Sequence, residues 1–177
     1  MKTIVMHASV ALLGLVSTAR GAMAQEHHAH QEHDIPNALQ HEHQEVHAAL
    51  QAVMKAPGEV GDAARELESL LRPHFQREEE IALPPLGVLQ RLIQKEDVGD
   101  LKSWLLPMTD ALRQELPGML KEHEAISAAL KKLEQAGQAA GHEQAVSFAR
   151  MLARHAQGEE ELYYPMAVLV GEIVRAR

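Results

Sequence analysis

Apolar residues along this chain recur at alternating intervals of three and four, the pattern of helices that each bury one stripe. A first helix is expected from about residue 36, since Pro36 suits a first turn, and it stops before Pro57-Gly58. A second runs from about residue 60 to 83 and ends at Pro84-Pro85, which cannot continue a helix cleanly. Residues 86–117 follow no single path: an apolar segment at 86–93 is followed by a break at Val98-Gly99-Asp100, then by residues 101–116, interrupted by Pro107. A third helix is expected at 117–135, a flexible turn at 137–141, and a fourth helix at 142–174.

The two halves repeat. Residues 42–50 lie over 122–130 with five of nine positions identical, and Leu71-Arg72-Pro73-His74 through Glu80 lies over Leu152-Ala153-Arg154-His155 through Glu161. The spacing agrees too, 31 residues from His43 to His74 and 32 from His123 to His155. Two copies of a helical hairpin predict an all-α, up-down four-helix bundle over residues 36–174, with an extra helical segment between the hairpins.

Composition sharpens this. Of 177 residues only 3% are aromatic, and there is no cysteine. Thiolate catalysis, cysteine zinc sites, iron–sulfur clusters and covalent haem attachment are therefore excluded. Residues 1–24 combine Lys2, an apolar run from Ile4 to Val16 and a small-residue close at Ala22-Met23-Ala24, the layout of a cleaved export signal. Its apolar run is too short to span a bilayer, so the expected product is exported, periplasmic and free of the membrane. Residues 25–35 follow as a disordered leader carrying His27, His28, His30 and His33. Losing Lys2 and Arg20 leaves 15 bases against 25 acids, a balance of −10 that argues against nucleic acid as a partner.

Histidine is what remains to be explained, at 12 in the chain. The core stripes read Leu39, His43, Val46, Leu50, Val53; Leu67, Leu71, His74, Glu78, Ile81; Met119, His123, Ile126, Leu130, Leu133; and Phe148, Leu152, His155, Glu159, Leu162, Met166. One core histidine bonded to a backbone carbonyl would be ordinary. Four imidazoles and two carboxylates buried without partners would cost several kcal/mol against a domain stability of roughly 5–15 kcal/mol. Six such donors from four helices suit a cluster of divalent metal ions. Four residues turn an α-helix by about 400°, so His74 and Glu78, and likewise His155 and Glu159, point the same way. Three consecutive glutamates cover about 200°, so one faces inward while its neighbours do not; Glu79 and Glu160 are the replacements if the helices locally unwind.

The series His43, His74-x-x-x-Glu78, His123, His155-x-x-x-Glu159 resembles the hemerythrin-like family, the histidine–histidine–glutamate cation-binding domains, over about residues 36–170. The resemblance implies a non-haem centre of two iron ions, bridged by carboxylate and by oxo or hydroxo. In it His43, His74, His123 and His155 are terminal ligands, and Glu78 and Glu159 are the bridging carboxylates. The chain departs from the oxygen-carrying hemerythrins in two ways. Ser127 stands where they place a second histidine on the third helix, and the last carboxylate follows its histidine by four residues rather than five. His47, four residues after His43, fills the position equivalent to Ser127 and is the candidate seventh metal ligand. With five histidines, two six-coordinate ions keep about one open position, which suits end-on dioxygen; with four they keep about two, which suits oxidative chemistry.

The expected function is therefore binding of dioxygen or a similar small ligand for carriage, storage or sensing, with no catalytic residue assigned. A di-iron oxidase or peroxidase and a protein carrying iron as cargo are the alternatives. His41 and His142 fall off the stripes and are expected at the surface, and Trp104 is expected to pack. Tyr163 and Tyr164, one turn past Glu159, are explained equally well as pocket lining or electron carriers and as core and rim packing.

Overall fold

The structure is a computed structural model that describes residues 35–177; the expected signal segment and all of the leader but Ile35 lie outside it. Every regular element among the described residues is helical: α1 (Asn37–Val53), α2 (Glu59–Ile81), a 3-10 turn (Pro84–Val88) leading into the short α3 (Leu89–Ile93), a second 3-10 turn (Gly99–Leu101), α4 (Lys102–Ala140), α5 (Glu143–Gly158), a π turn (Glu159–Tyr163) and α6 (Tyr164–Ala176). No helix among the described residues is long and apolar enough to cross a membrane. The hairpin α1–α2 packs against the hairpin made by the second half of α4 with α5, and α4 also runs along α6. This is the four-helix bundle that the repeat predicts.

From Lys102 onward the middle of the chain and the expected third helix are one long helix, preceded by the short elements of residues 84–101. In place of a broken segment followed by a helix at 117–135, α4 continues through both Pro107 and Pro117. An interior proline costs about 3 kcal/mol because a backbone hydrogen bond is lost. Both prolines are exposed, so the carbonyls left free are open to water, while Leu105, Leu112 and Met119 on the opposite face are buried. Tertiary burial outweighs the local penalty. Nor is there a flexible turn at 137–141: the helix reaches Ala140, and Gly141 alone ends it at φ +63°, a left-handed value that glycine takes without strain. His142 is then no idle surface residue, because its Nδ1 accepts a hydrogen bond from the Ala145 backbone amide at 3.2 Å and caps α5.

A second departure lies in the last helix. The stripe Glu159, Leu162, Met166 requires α-helical turns of 3.6 residues, but Glu159–Tyr163 forms a wider π turn. The inward position after Glu159 therefore comes five residues on, at Tyr164, and the buried face continues through Ala167, Val170, Gly171 and Val174. Leu162 is left 56% exposed. Wide turns of this kind are rare and concentrate at functional sites.

The core falls into layers. One apolar cluster, including Val46, Leu50, Leu67, Leu71, Ile126 and Leu152, fills one end of the bundle. A second contains Ile81, Leu83, Leu112, Met119, Tyr164 and Ala167. A third packs Leu105 against Val88, Leu92, Val170 and Val174, with Trp104 partly buried at its edge. On all four helices the histidine sits between a residue of the first cluster and one that packs in the second, as His74 sits between Leu71 and Ile81. A polar layer is thereby enclosed by apolar ones.

Candidate metal centre

Six of the seven predicted donors meet in that layer. His43, His74 and His123 are each 2% exposed, His155 7%, Glu159 1% and Glu78 0%. Two overlapping groups of donor atoms can be drawn, each with its members within 4.8 Å of one another: His74, Glu78, His123 and Glu159, and His43, His155 and Glu159. Glu159 belongs to both.

The separations are those of ligands around an ion. Donors bound at about 2.1 Å and subtending 90–109° stand about 3.0–3.4 Å apart. His74 Nε2 lies 2.8 Å from His123 Nε2 and 3.4 Å from Glu78 Oε1. His43 Nε2 lies 3.6 Å from Glu159 Oε1 and 3.7 Å from Glu78 Oε2, and His123 Nε2 lies 3.5 Å from Glu159 Oε2. Glu78 Oε2, His155 Nε2 and Glu159 Oε1 are fully buried without a hydrogen-bond partner. The 2.7 Å approach of His155 Nε2 to Glu159 Oε1 does not satisfy either atom, because the ring nitrogen is out of line with the oxygen. Buried lone pairs left aimed into a common space fit a metal rather than a closed hydrogen-bond network.

The electrostatics agree. Burial pulls the His43 and His74 imidazoles down, yet the carboxylates around them, Glu159, Glu79 and Glu78 at His43 and Glu78, Glu122 and Glu159 at His74, carry both up to about 9. His155 is raised as well, burial being outweighed by Glu159 and Glu42. Burial pushes the Glu159 carboxyl up, but His155 and His43 hold it down at about 2. The centre is built to hold positive charge.

The family described as Hemerythrin HHE cation binding domain matches residues 34–167. The chain belongs to the hemerythrin family. No curated protein and no solved structure matches it. This hemerythrin domain binds metal ions, iron being typical of the family, and the six convergent side chains are the candidate ligands.

His47 is not brought into the cluster. It is half-buried on the flank of α1, one residue past the stripe position Val46, and its ring meets Phe75 edge-on at 5.3 Å. Phe75 itself stacks on His43 at 4.3 Å, so the phenyl ring screens His47 from the site. The other hairpin has Ala156 and Ser127 at the equivalent positions, which makes the two halves chemically unequal. Sequence reasoning missed Phe75; its signal was an apolar residue directly after His74, where a second buried position adjoins the stripe. His41 lies on the surface as expected, paired with Glu45 at 3.3 Å.

Glu79 and Glu160 do not replace Glu78 and Glu159. One residue is about 100° of helical rotation, which turns each toward the neighbouring helix, where Glu79 meets His43 Nδ1 at 3.1 Å and Glu160 meets His123 Nδ1 at 2.8 Å. Of the two tyrosines, Tyr164 is the one inside. Its hydroxyl donates to Glu78 Oε1 and stands 3.2 Å from His123 Nε2. Burial, then the charges of Glu78 and Glu159, push this phenol far up, so it keeps its proton.

Proposed function

We propose that the protein is an exported di-iron hemerythrin that binds dioxygen or a similar small ligand. The observation that carries this reading is the pair of donor groups sharing Glu159, with Glu78 beside both His43 and His74. His74 and His123 would hold one ion, His43 and His155 the other, and the two carboxylates would serve both. A pair of irons supplies two electrons at one place, one from each ion, for reducing a bound oxidant. The chain's own contribution is to orient four imidazoles, to exclude water between two apolar layers, and to keep one proton at the Tyr164 hydroxyl beside Glu78. Export is supported by the charged, apolar and small-residue segments of residues 1–24.

A second reading, oxidase or peroxidase chemistry, is favoured by the placement of His47. Four histidines, two shared carboxylates and one bridging oxygen leave about two of twelve positions open on a pair of six-coordinate ions. Two open positions on such a pair would suit oxidative chemistry, and the Tyr164 hydroxyl at Glu78 and His123 would hold a proton at the site. The cargo alternative leans on the leader histidines, which lie outside the described residues.

Metal analysis of purified protein, followed by anaerobic oxygen titration of the reduced form, tests the choice. The expected result is two irons per chain and an absorption band that forms on oxygen addition. Reversal of the band on deoxygenation supports binding, and irreversible oxidation with peroxide turnover supports the enzyme. Protein that takes up no metal, or one ion only, overturns the proposal.

A further inference from the structure

Each candidate histidine ligand carries a glutamate on its outer nitrogen, and the glutamate always comes from another helix. Glu79 on α2 meets His43 Nδ1 on α1 at 3.1 Å. Glu122 on α4 meets His74 Nδ1 on α2, and Glu160 on the π turn meets His123 Nδ1 on α4, both at 2.8 Å. Glu42 on α1 stands 3.1 Å from His155 Nδ1 on α5, close but out of line, so this contact is the loosest of the four. Followed around the bundle, the contacts close a ring that visits α1, α5, α4 and α2 and returns to α1. Each of these glutamates is adjacent in sequence to an inward donor: Glu42 to His43, Glu79 to Glu78, Glu122 to His123, and Glu160 to Glu159.

We propose that Glu79, Glu122 and Glu160 are positioning residues that fix the tautomer of His43, His74 and His123, and that with Glu42, which adds only its charge beside His155, they stabilise the more highly charged state of the metal pair. This rests on the two-metal reading above. An ionised carboxylate can only accept a hydrogen bond, so a neutral imidazole facing one carries its proton on Nδ1 and presents the lone pair of Nε2 inward. Hydrogen-bonding the far nitrogen also makes the ring a stronger donor and stops it rotating. The four outer carboxylates are 41–55% exposed, so they stand at the rim of the site, and the imidazoles between them and the centre relay their charge inward. An oxidised pair, each ion having passed one electron to an external acceptor such as dioxygen, would carry two more positive charges, and a ring of negative charge would favour that state.

Glu122→Gln and Glu160→Gln keep an accepting oxygen at nearly the same place and remove the charge. Glu161→Gln is the control, the same change at an exposed neighbour whose bond is to Gln157. Cobalt(II) affinity by chelator competition and the midpoint potential of the iron-loaded protein are measured for wild type and all three. The first two variants are expected to bind cobalt about tenfold to a hundredfold more weakly and to show a higher potential, while Glu161→Gln matches wild type. A potential and affinity equal to those of the control in both variants would overturn the ring's role alone. Wild-type protein that takes up no metal would overturn the ring together with the two-metal reading.

Discussion

Removing the metal should reverse the direction in which stability depends on pH between about 6.5 and 9. In the metal-free chain the His43 and His74 imidazoles rise from 6.5 to about 9, because Glu159, Glu79, Glu78 and Glu122 outweigh burial. A group raised on folding stabilises fully below its unfolded value and loses that stabilisation as the pH climbs through its folded value. At 1.36 kcal/mol per unit, each histidine contributes up to about 3 kcal/mol, and the two share carboxylates, so the pair contributes less than twice that. Glu159 works in the other direction. His155 and His43 hold it at about 2 against 4.5, so its stabilisation is present above 4.5 and is lost as the pH falls toward 2. The metal-free protein should therefore be most stable between about pH 4.5 and 6.5 and should weaken toward pH 9. Metal requires unprotonated Nε2 atoms, so its stabilisation grows over the same interval. Free metal at a thousand times Kd adds about 4 kcal/mol per ion. At about 2–4 °C per kcal/mol for a chain of this size, two ions separate the melting points by roughly 15–30 °C at alkaline pH and by much less at pH 6. Thermal unfolding followed by circular dichroism, with and without metal from pH 5 to 9, gives both curves. A gap that stays constant with pH, or a metal-free form that gains stability between pH 6.5 and 9, would refute the reasoning.

Three further substitutions probe the site and its frame. Tyr164→Phe removes the hydroxyl donated to buried Glu78 and should lower the stability of the metal-free protein by about 1.5–3 kcal/mol, the worth of a bond to a charged group; an unchanged urea midpoint would show the hydroxyl to be idle. His47→Ala should leave the metal stoichiometry as it is, because Phe75 stands between this ring and the cluster; losing one ion per chain would restore His47 as a ligand. Gly171→Ala places a Cβ 2.6 Å from the Cβ of buried Thr109, so α6 must move off α4 at a cost of about 1–3 kcal/mol. A neutral melting temperature for that variant would mean that the two helices are not packed as tightly as described.

What could be read without the fold was whatever a single helix repeats along its own length. His43, His74, His123, His155, Glu78 and Glu159 lie on apolar stripes, and both hairpins carry the same spacing, so their convergence follows from helical geometry once four stripes face one another. The signal and leader are likewise local patterns, and they fall outside the described residues. His47 shows the limit of this reasoning. Its spacing from His43 is that of a ligand pair, but it flanks the stripe, and only the neighbouring helix, through Phe75, decides that it stays outside.

By itself, then, the chain's periodicity determined an all-helical bundle with six donors in one layer, because a donor's direction on an α-helix depends only on its position. The tertiary structure decided three things that depend on contacts between helices. Burial of Leu105, Leu112 and Met119 keeps α4 whole through two prolines whose local preference is to break it. The π turn moves the inward position from Leu162 to Tyr164, a shift of register that no fixed period anticipates. Glutamates on the flanks of one helix meet the outer nitrogens of histidines on the next, because a residue 100° away from the core stripe points at whichever helix packs beside it.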